Sequence, residues 1–253
     1  MNKRKTVILL VLIGALIFGG ITGAFLALTH DLPQIRSLEN FRPSAVTRIF
    51  SSDGVLLAEL FVEKRDPVPI EKIPDYLKSA LIVTEDRKFY NHSGVDLKGT
   101  LRALIKDVRA GEIVEGGSTI TQQLAKTLFL TPEKRLIRKI KEAILAVQLE
   151  RRYTKNEILE LYLNQVYFGS GAHGVESAAK LFFGKTASDL SLAQCALVAG
   201  MPKAPSRYSP LINRNRSIRR RNTVLKQMLV TGIITSADYD EAIKEPVHTA
   251  NKP

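Results

Sequence analysis

The sequence predicts a mainly α protein with a small N-terminal β-hairpin and one N-terminal transmembrane helix. Three observations carry that prediction. Residues 7–28 form an uncharged apolar run, strand-forming residues flank an Asp53-Gly54 turn, and from Pro74 onward apolar residues recur at helical spacing behind residues suited to capping helix starts.

Residues 1–6 include Lys3, Arg4 and Lys5, and residues 7–28 follow without a charge. A run of about 20 apolar residues crosses the ~30 Å hydrocarbon core as a helix. The basic flank assigns the N-terminus to the cytoplasm and the remainder to the other side. A cleaved signal peptide is the competing reading, but the run exceeds the ~7 to 15 residues of a usual signal core. Residues 29–45 are polar, contain Pro33 and Pro43, and read as a stalk. Residues 46–72 are the hairpin and a connector, with strands over 46–50 and 55–61.

Residues 73–246 form the main domain and 247–253 a tail or truncated linker. Thr131 followed by Pro132 opens a helix expected to reach about Arg152. On it Ile140, Ala143, Ile144 and Val147 are expected to face the core. Thr154 with Glu157, and Ser191 with Gln194, make capping boxes. The stretch from Lys155 to Gly169 reads as one amphipathic helix, Gly200 as the end of the Ser191 helix, and Gly232 as the end of one starting near Asn215. The Arg214, Arg216, Arg219, Arg220, Arg221 run taken alone is a solvated helix face.

The formal net charge is +12, which favours polyanionic partners. For a domain held outside the cytoplasm those are anionic lipids and lipid-linked phosphates, and the topology argues against nucleic acid. Cys195 is the single cysteine, so an intramolecular disulfide is excluded and the thiol reads as a small core residue.

Two carboxylates stand out. Glu85 lies between Leu81-Ile82-Val83 and Phe89-Tyr90, a setting in which burial raises a carboxylate's proton affinity toward that of a useful base. Glu142 lies among Arg138, Lys139 and Lys141, cations suited to stabilising charge on a departing phosphate. Between them, Gly116-Gly117-Ser118-Thr119 precedes a helix, where free amides favour anions, and Gln122, Gln123 and Lys126 follow on that helix. A glycine pair before a Ser cap is also an ordinary helix start.

Taken in order, five segments resemble the family 51 glycosyltransferase domain, found in class A penicillin-binding proteins of the 1A type and in monofunctional transglycosylases. They are Glu85 to Gly94, Gly116 to Lys126, Arg138 to Glu142, Lys155 to Gly169, and Arg220-Arg221-Asn222-Thr223-Val224-Leu225. The resemblance spans roughly Ile73 to Pro246 and implies a lysozyme-like glycosyltransferase domain that polymerises lipid II into β-1,4 glycan by inverting displacement. Glu85 is implied as the base at the acceptor 4-hydroxyl, and Glu142 as the second catalytic acid at the donor diphosphate. Substrate binding is implied for Asp86, Phe89, His92, Gly117, Ser118, Thr119, Gln122, Gln123, Lys126, Lys134, Arg138, Lys139, Lys155, Glu160 and Asn164.

The resemblance further implies a single-pass protein of the bacterial cytoplasmic (inner) membrane with its catalytic domain outside the cytoplasm. Its partners would be lipid II, the growing glycan strand, inner-membrane lipids and other cell-wall synthesis proteins. No cofactor is required; a divalent cation (Mg or Mn) at the diphosphate stays open. The stretch from Leu97 to Glu115 resembles a membrane-proximal jaw, with Leu101, Leu104, Ile105 and Val108 as its apolar stripe. A lytic, lysozyme-like enzyme and a noncatalytic scaffold are the rival readings. Ser177 and Lys180 match an acyl-transfer Ser-x-x-Lys, but its companion motifs are missing from this sequence.

Overall fold

The computed structural model describes residues 3–30, 32, 47–60, 66–102, 117–130 and 135–250. Helix α1 runs unbroken from Lys3 to His30. Counted over the described residues, no helix is long and apolar enough to cross a membrane, so the expected anchor rests on the sequence. Strands β1 (Thr47–Phe50) and β2 (Leu56–Leu60) pair antiparallel. Gly54 turns between them at φ +81°.

The helical body follows. Helix α2 (Asp75–Glu85) buries Leu77, Ala80 and Leu81 at i, i+3 and i+4 spacing, which defines one apolar face. Helices α3 (Ile120–Phe129), α4 (Arg135–Glu150) and α5 (Lys155–Gln165) form a second group. The chain then passes through β3 (Tyr167–Gly169), β4 (Ala172–His173) and α6 (Val175–Phe183) into α7 (Leu192–Gly200). It ends through the short α8 (Pro205–Tyr208), α9 (Arg214–Val230) and α10 (Ser236–Lys244).

Helix α7 is the hub, packed against α2 on one side and α9 on the other. Its Ala193 and every residue from Cys195 to Gly200 are buried, the pattern of a helix enclosed on all sides. Gly200 does more than end this helix. A Cβ there would stand 2.9 Å from Cγ of Arg220, so the missing side chain lets α9 lay that arginine across the end of α7.

Burial pushes the Cys195 thiol up to about 12, so almost no thiolate exists at neutral pH to react. A thiol-specific chromogenic reagent should therefore label the native protein slowly and the denatured protein at once. Rapid labelling before unfolding would contradict the packing of α7.

Three expectations are corrected. The buried face of α4 is Glu142, Leu145, Ala146 and Leu149, whereas Ile140 is largely exposed. The face is rotated because a paired carboxylate occupies a buried position that a hydropathy pattern assigns to solvent. Helix α5 stops at Gln165 rather than Gly169, because extended Val166 leads into the β3–β4 hairpin. The cap of α3 is Thr119, which makes a capping box with Gln122 and frees Ser118 for another partner. The jaw is described only to residue 102, with Leu97 and Leu101 exposed; Leu104, Ile105 and Val108 lie outside the described residues.

Candidate active site

Helix α2 ends on Glu85, so the carboxylate stands where the helix dipole is negative. Oε2 of Glu85 accepts a hydrogen bond from Nε2 of Gln123 at 2.9 Å, and Oε1 of Gln123 accepts from the Tyr162 hydroxyl at 2.9 Å. Burial, foremost, raises the proton affinity of Glu85. The Gln123 hydrogen bond and the charges of Arg220 and Lys203 pull it back down, and neighbouring Asp86 pushes it up again. The result is a carboxylate more basic than an exposed one, still supported in its ionised form by one amide and two cations.

Asp86, the next residue, turns the other way. Its buried Oδ2 lies 2.9 Å from Nε2 of His92 and accepts the Ile120 backbone amide at 3.0 Å. The amide of Gly94 donates to Nδ1 of His92 at 3.2 Å, so the imidazole carries its proton on Nε2 and donates it to Asp86. Thr119 Oγ1 then donates to the Gly94 carbonyl at 2.6 Å. Gly94 has φ +95°, and a Cβ there would meet the Ala146 carbonyl carbon at 2.7 Å; only glycine lets this loop cross α4 so closely. The loop after α2 is thus fastened to the start of α3, which in turn delivers Gln123 to Glu85.

A cationic constellation forms at the start of α3 and along α4. Lys139 Nζ donates to Ser118 Oγ at 2.7 Å and to Oε2 of Glu142 at 2.5 Å. Arg138 Nε lies 3.3 Å from the other Glu142 oxygen, too poorly aligned for a hydrogen bond, so both atoms keep bonding capacity. Glu142 is 1% exposed, whereas the Lys139 side chain is half exposed. The acid therefore orients the cations, and the cations face outward.

Other expected contact residues are engaged by the protein itself. Phe89 is fully buried, with Lys155 Nζ 4.5 Å from its ring centroid. Lys155 also pairs with Glu150 at 2.6 Å, and Thr121 donates to the same carboxylate oxygen at 2.7 Å. Asn164 exchanges both of its hydrogen bonds with the backbone of Val68, at 2.9 and 2.8 Å, and Glu160 accepts the Ile70 amide at 2.8 Å. These two residues dock the connector onto α5. Asp86, Phe89, His92, Thr119, Gln122, Lys155, Glu160 and Asn164 therefore each hold a partner within the fold. Gly117, Ser118, Gln123, Lys126, Arg138 and Lys139 stay at or near the surface; Lys134 lies outside the described residues.

The sequence reading gave no role to two residues the fold brings in. Arg220, from the arginine run, donates to the Gly200 carbonyl at 2.9 Å and lies 5.5 Å from the Tyr208 ring centroid. Lys203, in the turn after α7, also reaches the field of Glu85. The one available signal was that Arg220 opened the last of the five motifs.

Comparison with known proteins shows the family of the chain. The sequence pattern of the family described as Transglycosylase matches residues 53–229. Penicillin-binding protein 1A of Aquifex aeolicus (strain VF5) is 46% identical over 244 residues, 96% of this chain and 34% of that protein. Penicillin-binding protein 1A of Escherichia coli (strain K12) is 44% identical over 238 residues, 94% of this chain and 28% of that one. The crystal structure of penicillin-binding protein 1A from Haemophilus influenzae superposes with a TM-score of 0.51 at 28% identity, covering 84% of this chain and 22% of that one. The chain spans about a third of the length of these curated relatives.

Proposed function

The chain belongs to the transglycosylase family, and from that premise we propose that it is a peptidoglycan glycosyltransferase that polymerises lipid II into β-1,4-linked glycan. The observation that carries this reading is the partly buried Glu85 at the end of α2, made more basic by its surroundings yet held by Gln123. In the proposed step Glu85 takes the proton of the acceptor 4-hydroxyl. That oxygen bonds to the donor's anomeric carbon as the carbon–oxygen bond to the diphosphate breaks, and the diphosphate leaves with the electron pair. Attack opposite the leaving group inverts the centre, so no glycosyl-enzyme forms.

Lys139 and Arg138, oriented by Glu142 beside Ser118, are suited to receive the charge of the departing diphosphate. Lys126 and Lys134 are proposed to add to them. Glu142 is one carboxylate among basic groups, and no cluster of three potential metal-ligating residues exists among the described residues. Among the described residues that donor set does not fit a protein-held divalent cation, and Lys139 and Arg138 supply positive charge at the same place.

We also propose that α1 is a membrane anchor that leaves the catalytic domain outside the cytoplasm, on the inner membrane. Residues 6–29 contain no charged side chain, and Lys3, Arg4 and Lys5 precede them. Confinement to the surface that carries a lipid-linked substrate raises its effective concentration.

A basic, partly buried Glu would also serve a lytic enzyme, as its general acid. The outward-facing Lys139 and Arg138 favour transfer, because cleavage of a finished strand has no diphosphate to receive. Incubating the detergent-solubilised chain with labelled lipid II should yield long glycan and release undecaprenyl diphosphate. Fragments released from preformed strands, without polymerisation, would overturn the proposal.

A further inference from the structure

We propose that Tyr162 is a positioning residue: its hydroxyl fixes which end of the Gln123 amide faces Glu85, and thereby holds Glu85 in the ionised form that can accept a proton. The inference rests on the reading of Glu85 as the base. It begins from two hydrogen bonds in series, Tyr162 Oη to Gln123 Oε1 and Gln123 Nε2 to Glu85 Oε2, each 2.9 Å.

An amide has a donor end and an acceptor end, and Gln123 can offer either one to Glu85. Only the NH₂ end supports a carboxylate. The oxygen end would repel it, or would accept a proton that Glu85 had kept. What selects between them is the partner at the other end of the amide. Tyr162 is fully buried, and burial together with the nearby charges of Glu85 and Asp86 keeps its phenol protonated. A buried O–H requires an acceptor, and Gln123 Oε1 is the acceptor it has. With the oxygen held there, the NH₂ group is directed at Glu85.

The groups facing Glu85 come from five places. Asp86 follows it in the chain, Gln123 lies on α3, Tyr162 on α5, Lys203 in the turn after α7, and Arg220 on α9 with the Tyr208 ring beside it. Arg220 and Lys203 favour the ionised carboxylate through space. Their effect survives a turned amide, whereas the Gln123 hydrogen bond does not. Tyr162 therefore acts on the position of the titration rather than on substrate affinity.

The test uses the whole chain in detergent micelles, with Tyr162→Phe measured for polymerisation from pH 5 to 9. A hydrogen bond to a charged group contributes about 1.5–3 kcal/mol, and one pKa unit corresponds to about 1.36 kcal/mol. The ascending limb of kcat should move up by about one unit. Below the limb the rate should fall about tenfold, recovering at high pH, with KM for lipid II unchanged within about twofold. Carbon NMR of the glutamate carboxyls should report the same upward movement of Glu85 without reference to activity. Gln123→Leu should raise the limb too, and Tyr162→Phe added to it should produce no further displacement.

A limb that stays in place, an equal loss at every pH, or additive displacements in the double variant would each overturn the role of Tyr162. Should Tyr162→Phe fail to fold, an unmoved Glu85 titration in Gln123→Leu would overturn it equally. Failure of the base assignment looks different: the wild-type limb would persist in Glu85→Gln, or polymerisation would be absent altogether.

Discussion

Glu85→Gln is expected to lower the rate of lipid II polymerisation by about 10²- to 10⁴-fold, the range for losing a positioned general base, with lipid II still bound. The substitution keeps the shape and one oxygen to accept from Gln123, so the loss should appear in kcat and kcat/KM together. Stability should move the opposite way. The folded protein raises the proton affinity of Glu85 above its unfolded value, chiefly by burial. That preference stabilises the native state below the ordinary glutamate range, near pH 4, and is lost as pH rises through the folded value. At neutral pH the wild type therefore carries a partly buried charge that the Gln variant lacks. Thermal unfolding should find Glu85→Gln at least as stable as wild type at pH 7 to 8, with the gap closing in acid. Activity within tenfold of wild type would sink the base assignment, and a lower melting temperature at neutral pH would contradict the burial of the charge.

Features set by neighbours in sequence were legible. The capping boxes at Thr154 and Ser191 are present as expected, because their chemistry closes within three residues. The β1–β2 hairpin follows from an Asp53-Gly54 turn that needs a positive φ. Polar residues with distant partners were not legible. Asn164 and Glu160 sit on an amphipathic helix and read equally as reaching a site or bracing it, and they bind backbone 96 and 90 residues away. Glu142 misled in the other direction. A pattern of apolar residues sends a Glu to solvent, but Lys139 pairs with it so closely that it takes a buried position on α4. At the site, Glu85 was legible from its apolar neighbours, while its controls were not. Gln123, Tyr162, Lys203 and Arg220 converge from four separate parts of the fold, and Tyr162 in particular looks like any packing residue of α5 until its hydroxyl is seen to have a partner.

Asp86→Ala should do to the fold what Glu85→Gln does to the chemistry. The Asp86 side chain is 4% exposed, and a single oxygen serves both His92 and the first amide of α3. Its removal leaves two donors unpaired in a buried setting, each at about 1–3 kcal/mol, and takes a carboxylate from a helix N-terminus that favours negative charge. Two such donors and the lost helix-terminus interaction total on the order of 3–5 kcal/mol, a large share of the ~5–15 kcal/mol that holds a native domain together. The melting temperature should fall by on the order of 10 °C. Activity should fall with it, because the start of α3 is what sets Gln123 against Glu85. Asp86→Asn should recover much of the stability, since its amide oxygen can still accept from Ile120, and recover activity in proportion. Thermal unfolding and polymerisation measured on the same samples separate the two roles Asp86 has been given. If Asp86→Ala melts as wild type does and yet cannot polymerise lipid II, then Asp86 meets the substrate directly, as the sequence resemblance implied, and its two internal hydrogen bonds are incidental. If stability and activity fall and recover together across Ala and Asn, these adjacent carboxylates divide the work: Asp86 holds the loop that Glu85 needs in order to act.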